Sequence, residues 1–304
     1  GLFFILGFIT WANGTLIPFL KIACNLETDL QAFFVTFASY IAYFFLALPS
    51  SVIIKKIGFQ NGLVVSLIIL GLGSLIFIPA ADNRSYGLFL TGIFIQGSGM
   101  ALLQTAVNPY LSIIGPIDSA AQRISIAGFF NKSAGIIVPI LFGTLFLKDA
   151  QKVTAKLEAT TDLVQKNAIL DDLLQRVHTP YISLAIIFVA FAIFLKFTHL
   201  PEVDVDAEEE TSAESGTVAA KKTSIFQYPH LFLGALAIFF CVAVEVMAGD
   251  IIGVYARELK VDPFFTTYAT AFTLACMLIG YIIGIISIPR FVSQQMALRI
   301  CTII

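Results

Sequence analysis

From Gly87 to Ile117 the chain carries no charged side chain. As a helix rising 1.5 Å per residue, such a run of about 30 residues crosses a hydrocarbon core of about 30 Å with length left for tilt. The run is not uniformly oily. Helical spacing sets Gly97, Ala101, Gln104 and Asn108 on one face, while Phe89, Phe94 and Leu102 fall largely elsewhere. Pro109 has no N–H, so the carbonyl of Thr105 loses its helical partner. Amides and a freed carbonyl are tolerated at membrane depth only where they face protein or a wet cavity. The helix is therefore expected to line a cavity. The alternative is close packing, in which small residues admit a neighbouring helix and the amides bond across the contact.

Composition extends the argument to the whole chain. Of 304 residues, 58% are hydrophobic and 12% charged, against about 25% charged in a soluble domain. A net charge of −2 offers nucleic acid no basic surface. Cys24, Cys241, Cys276 and Cys301 lie in or beside apolar runs without pairing or metal spacing, and read as small buried hydrophobes. His178, His199 and His230 sit near predicted helix ends and form no metal cluster. Gly1 begins inside an apolar run with no charged segment before it, so the first span does not read as a signal peptide. With Ile304 inside another run, the expectation is a fragment clipped at both ends.

Further spans follow the same logic. The first covers about Leu2 to Lys21 and carries Thr10, Trp11, Asn13, Gly14 and Thr15 ahead of Pro18. The second runs from about Ala32 to Ile54 and ends at Lys55-Lys56. The third runs from about Asn61 to Ala80, before the polar turn at Asp82-Asn83-Arg84. The charge-free helix is fourth, and a fifth spans about Ile124 to Leu147 with Asn131-Lys132 inside it. Residues 148–177 mix Lys152, Lys156, Glu158, Asp162, Lys166, Asp171 and Asp172 with leucines and alanines, as in a soluble helical excursion. Span six covers about Tyr181 to Phe197. Around Glu208-Glu209-Glu210 the chain cannot bury enough apolar surface to fold. Spans seven (about Leu231 to Tyr255) and eight (about Phe265 to Ile288) follow, with the start of a ninth after Arg290. The expected domains are a six-helix bundle at 1–199, a cytoplasmic linker at 200–226 and the first part of a second bundle at 227–304. An even number of spans before the linker puts it on the same side as Lys55-Lys56, and Lys221-Lys222 tip that side toward the cytoplasm.

Six spans, a linker and further spans is the layout of major facilitator transporters, whose halves are six-helix repeats. Ser51 to Lys56 and Gly284 to Arg290, each preceding a span, resemble their signature loop in degraded form. Trp11-Ala12-Asn13-Gly14-Thr15-Leu16-Ile17-Pro18, Gln104-Thr105-Ala106-Val107-Asn108-Pro109 and Phe129-Phe130-Asn131-Lys132-Ser133-Ala134-Gly135 together resemble the fucose permease and glucose/galactose transporter family. The resemblance implies an all-α membrane protein of the major facilitator fold in a bacterial inner membrane, moving hexoses or deoxyhexoses with a coupling cation. It also exposes two departures. Gly14 stands four residues before the proline where the fucose permease pattern has an acid, and Gln104 stands where that pattern has a glutamate. Both changes pull the match toward the glucose/galactose branch.

The candidate sugar ligands are Trp11, Asn13, Gln104, Asn108, Asn131 and Lys132. Amides hydrogen-bond hydroxyls in pairs, and Trp11 offers a flat apolar face for a sugar's C–H groups or an interfacial anchor. Glu245, about mid-span, is the candidate for cation coupling, because a charge at the bilayer centre costs at least ~2.5 kcal/mol and needs a partner or water. Its structural alternative is an ion pair, with Lys132 as the candidate partner. Asp250 lies nearer the span's end and reads as solvated. With amides and Lys132 to hold Glu245 ionised, Na⁺ is expected ahead of H⁺. A sensor that binds sugar without transporting it is the second hypothesis. No cofactor and no metal cluster are expected, and no nucleophile–base pair or phosphate loop argues for an enzyme.

Overall fold

The computed structural model describes residues 1–146, 159–160, 162–198 and 228–303, and all regular structure among them is helical. The expected linker at 200–226 and residues 148–158 of the excursion lie outside the described residues. The helices are α1 (Leu2–Ala23), α2 (Asp29–Asp82), α3 (Tyr86–Ile113), α4 (Ala120–Phe146), α5 (Leu163–Gln175), α6 (His178–Phe197), α7 (Pro229–Asp250), α8 (Ile252–Glu258), α9 (Pro263–Ser287) and α10 (Gln294–Ile303). Six helical segments are long and apolar enough to cross a membrane, and α1, bent by 42°, makes a seventh. One of the six, Leu30–Asp82, is 53 residues long. It holds the expected second and third spans, broken at Gly58, whose φ of 81° suits a residue with no Cβ.

Local chemistry fixes the helix ends. Thr28 and Gln31 form a capping box at the start of α2, with the Gln31 N–H donating to Thr28 Oγ1 at 3.2 Å. Ser85 caps α3 by accepting from the Leu88 N–H, and Asp162 caps α5 by accepting from the Val164 N–H. At the far end of α3, Arg123 donates from Nε to the Leu111 carbonyl at 2.9 Å and from Nη2 to that of Ser112 at 3.0 Å. Gln60 does likewise for α6, reaching the carbonyls of Leu195 at 2.8 Å and Thr198 at 2.6 Å. These contacts satisfy carbonyls that a helix leaves without partners.

The chain forms two compact units, Gly1–Glu202 with Met277–Ile304, and Val203–Cys276. In the first, antiparallel helices give the bundle two ends. One gathers the Gly58 break, the α3–α4 turn and the end of α6, and carries Lys55, Lys56, Arg123 and Lys196. The other gathers the α1–α2 and α2–α3 turns and α5, where Arg84 Nε donates to Asp171 at 2.6 Å and Nη1 to Asn167 Oδ1 at 2.7 Å. The Arg84 hydrogen bond holds the Asp171 carboxyl below its ordinary range. His178 Nε2 lies 3.0 Å from Asp82 Oδ1, close enough for an ion pair when the imidazole is charged, but it is off hydrogen-bond alignment. Thus the described part of the excursion is a helix tied to the bundle by polar contacts.

Aromatic packing joins α2, α3, α4 and α6. Tyr181 stacks on Phe77 at 3.9 Å, and Phe77 meets Phe89 edge-on at 5.4 Å. Between α2 and α3, glycine replaces side-chain bulk: a Cβ on Gly97 would lie 2.5 Å from the Ser39 carbonyl oxygen, and one on Gly99 2.9 Å from that of Ser66. Residues 277–304 join this unit through α4. Gln122 donates to the Ile285 carbonyl at 2.9 Å, Gln294 to that of Asp118 at 2.7 Å, and Tyr281 fills the space a Cβ on Gly128 would take. In the second unit, Thr270 of α9 donates to the Gly249 carbonyl of α7 at 2.7 Å. There α7 leaves large apolar side chains such as Leu233 and Ile238 exposed. Three cysteines expected to be buried, Cys241, Cys276 and Cys301, are also exposed, and Cys24 is partly so. They lie on helix faces turned away from the packed core, which an apolar run by itself does not reveal.

Candidate functional site

The site is built on the seam between α1 and α4. A Cβ on Gly7 would lie 2.1 Å from the backbone oxygen of Asn131, so the two helices touch backbone to backbone at that level. Such contact is possible only because residue 7 has no side chain. It carries the next residue of α4, Lys132, onto α1 one turn further along. Lys132 Nζ sits 4.8 Å from the centroid of the Trp11 ring, a cation–π contact worth about 0.5–2 kcal/mol. Both side chains are buried, Lys132 at 4% exposure and Trp11 at 5%. Asn13 is also buried, and Asn131 is partly so.

An ammonium lies over one face of the Trp11 ring, and the indole is buried. Its Nε1–H is buried and has no hydrogen-bond partner among the described residues, which costs about 1–3 kcal/mol.

Along α3 the polar face divides. Gly97 packs on Ser39, and Ala101 is buried, as the packing alternative predicts. Gln104 is half-buried and Asn108 exposed, so the face opens toward the Pro109 end. Thr105 turns its hydroxyl to the Ala101 carbonyl at 2.7 Å. Glu245, on α7 in the second unit, is partly buried. Among the described residues no group of His, Cys, Asp and Glu could hold a metal ion.

Sequence reasoning passed over Gln96. It is buried at 4% and donates from Nε2 to Ser74 Oγ at 2.8 Å, while Ser74 donates to the Leu70 carbonyl. The signal was a third amide in the charge-free run, but it lies about 80° around the helix from Gln104. That places it in the α2–α3 interface, in a satisfied buried network.

Helices of this length, with a polar set held inside a bundle, define a multi-pass membrane protein. The Major Facilitator Superfamily profile matches residues 2–304, and the chain belongs to that superfamily. It is 33% identical over 293 residues to a glucose/galactose transporter of Brucella abortus, covering 96% of this chain and 64% of that protein. With the L-fucose-proton symporter of Escherichia coli it shares 29% over 297 residues, 95% of this chain and 67% of the other. In structure it matches a fucose transporter crystallised in the outward conformation with a TM-score of 0.76 at 28% identity, over 95% of this chain and 70% of that one. The chain thus spans about two-thirds of the length of these curated relatives. Superfamily membership and the bacterial sources of the relatives place it in an inner membrane, crossing several times.

Proposed function

We propose that this chain is the first bundle and the start of the second in a secondary transporter that moves a hexose or deoxyhexose with a cation by alternating access. The observation that carries the reading is the buried contact of Lys132 with Trp11 in a chain 33% identical to a glucose/galactose transporter. Donors of this kind, with the amides of Asn131, Gln104 and Asn108, suit a ligand rich in hydroxyl oxygens. In the proposed cycle Trp11 Nε1 donates to one oxygen of the sugar. Lys132 holds the indole in place through its ring face.

Sequence reasoning favoured Na⁺ because Glu245 was expected among amides. Two relatives are named proton symporters, and the proposal accordingly takes H⁺ as the coupling ion. Glu245, a carboxylate within α7, is the residue put forward to carry that proton. The test is uptake of labelled glucose, galactose and fucose into vesicles holding the complete gene product. Accumulation should collapse with a protonophore, persist without Na⁺, and fall sharply in Glu245→Gln. Uptake that requires Na⁺ and ignores the protonophore would restore the sodium reading. Sugar binding without accumulation would identify a sensor.

A further inference from the structure

Residues 277–304 belong to the first unit, and they meet α4 along one line. Asp118, Gln122, Ser125 and Gly128 recur at helical spacing, which sets them on one side of α4 and of the turn before it. Opposite them, in reverse order, stand Gln294, Ile285, Gly284 and Tyr281. Gln294 donates to the Asp118 carbonyl at 2.7 Å, and Gln122 Nε2 to the Ile285 carbonyl at 2.9 Å. A Cβ on Gly284 would lie 3.8 Å from that of Ser125, and one on Gly128 would run into the Tyr281 ring. This seam starts at the end of the bundle that carries Lys55, Lys56 and Arg123. One turn beyond Gly128 on the same face is Lys132, which lies over the Trp11 ring.

The acceptor at Ile285 has a reason to look outside its own helix. In a continuing helix its carbonyl would take the N–H of residue 289, but that residue is Pro289 and has none. The donor that answers it comes from α4. Gln122 and Ile285 are both partly buried, so water reaches each group once the helices part. A hydrogen bond of this kind favours contact without making it permanent.

We propose that the seam is a latch, in which Gln122 on the Ile285 carbonyl and Tyr281 seated on Gly128 close the Lys55-Lys56 end of the sugar path and part once in each transport cycle. The inference rests on the transporter reading above and adds the residues that hold one end shut. Gly128 admits the Tyr281 ring because it has no side chain, so closure is a fit of ring to notch. Lys132 and Gly128 ride on one helix, and a shift of α4 at Lys132 reaches the seam one turn away.

The test is a disulfide across the seam. The 3.8 Å between Cβ positions at residues 125 and 284 is an ordinary disulfide spacing. In a cysteine-free form of the complete protein, Ser125→Cys with Gly284→Cys should cross-link within one chain on mild oxidation. Uptake of labelled sugar into vesicles should then fall by about tenfold or more and return with dithiothreitol, while sugar binding at equilibrium persists. Adding Gln122→Ala should slow cross-linking about fivefold, the share of one hydrogen bond, with an unchanged melting temperature. Gln122→Glu keeps the length but loses the donor, and should slow it at least as much. A pair that does not cross-link, or a cross-linked protein that transports at the reduced protein's rate, would overturn the latch. Equal cross-linking rates in all three residue-122 forms would remove Gln122 from it. Absence of uptake before oxidation would overturn the transporter reading itself, a result distinct from uptake that survives the cross-link.

Discussion

Adding a single methyl group at Gly7 tests the seam on which the site depends. A Cβ there would lie 2.1 Å from the Asn131 oxygen, 2.7 Å from its carbonyl carbon and 2.8 Å from its Cα. All three are backbone atoms, so no rotamer change relieves the clash, and α1 must move off α4. Overpacking of this kind costs about 1–3 kcal/mol, and a backbone collision belongs at the upper end. Alanine recovers about 1 kcal/mol of helix propensity over glycine. The net expectation for Gly7→Ala is a loss of about 2 kcal/mol, or about thirtyfold in the unfolding equilibrium. Gly234 is the control, because nothing lies within 4 Å of a Cβ built there. Gly234→Ala should gain about 0.4–1 kcal/mol.

Denaturant unfolding in detergent micelles, followed by circular dichroism, measures both variants. Trp11 is the sole tryptophan of this chain, so its emission reports the same event locally. Separation of α1 from α4 draws Lys132 off the ring, and the emission of Gly7→Ala should shift while that of Gly234→Ala does not. If Gly7→Ala proves as stable as Gly234→Ala, with unchanged emission, the helices do not meet at Gly7. The argument for how Lys132 reaches Trp11 then fails.

Other outcomes follow from the same contacts. Trp11→Phe keeps a ring under Lys132 but removes the Nε1–H, so in the complete protein sugar affinity should fall about tenfold with little change in stability; equilibrium binding of labelled sugar checks it, and an unchanged affinity would exclude the donor role. Gln60→Ala strips the Leu195 and Thr198 carbonyls of their donor and should cost about 1–2 kcal/mol, seen as faster amide exchange at the end of α6. The Asp171 carboxyl is held below its ordinary value of 3.8 by the Arg84 hydrogen bond. Its stabilising effect is fully present above that value and is lost as pH falls through the lower folded-state pKa. Asp171→Asn should therefore flatten the acid limb of a stability–pH curve below about pH 4 and leave its neutral region parallel to wild type.

Hydrophobic run length made the spans legible, because a bilayer leaves helices few alternatives. The charge-free stretch from Gly87 to Ile117 became α3, and the two apolar runs on either side of Lys55-Lys56 became the halves of α2. Which polar residues are buried depended on something the pattern does not carry. Gln96 and Gln104 lie in one run, yet one is locked to Ser74 and the other is half-exposed. The neighbour each helix face meets is set by the topology of the bundle. Trp11 and Lys132 are separated by more than a hundred residues, and no periodicity links them. They meet because Gly7 lets α4 approach α1 to backbone contact, a pairing decided only when the helices pack. Local sequence determined that α1, α3 and α4 are apolar helices with polar insertions. Tertiary packing decided that an ammonium would lie over the indole and that the indole N–H would be buried.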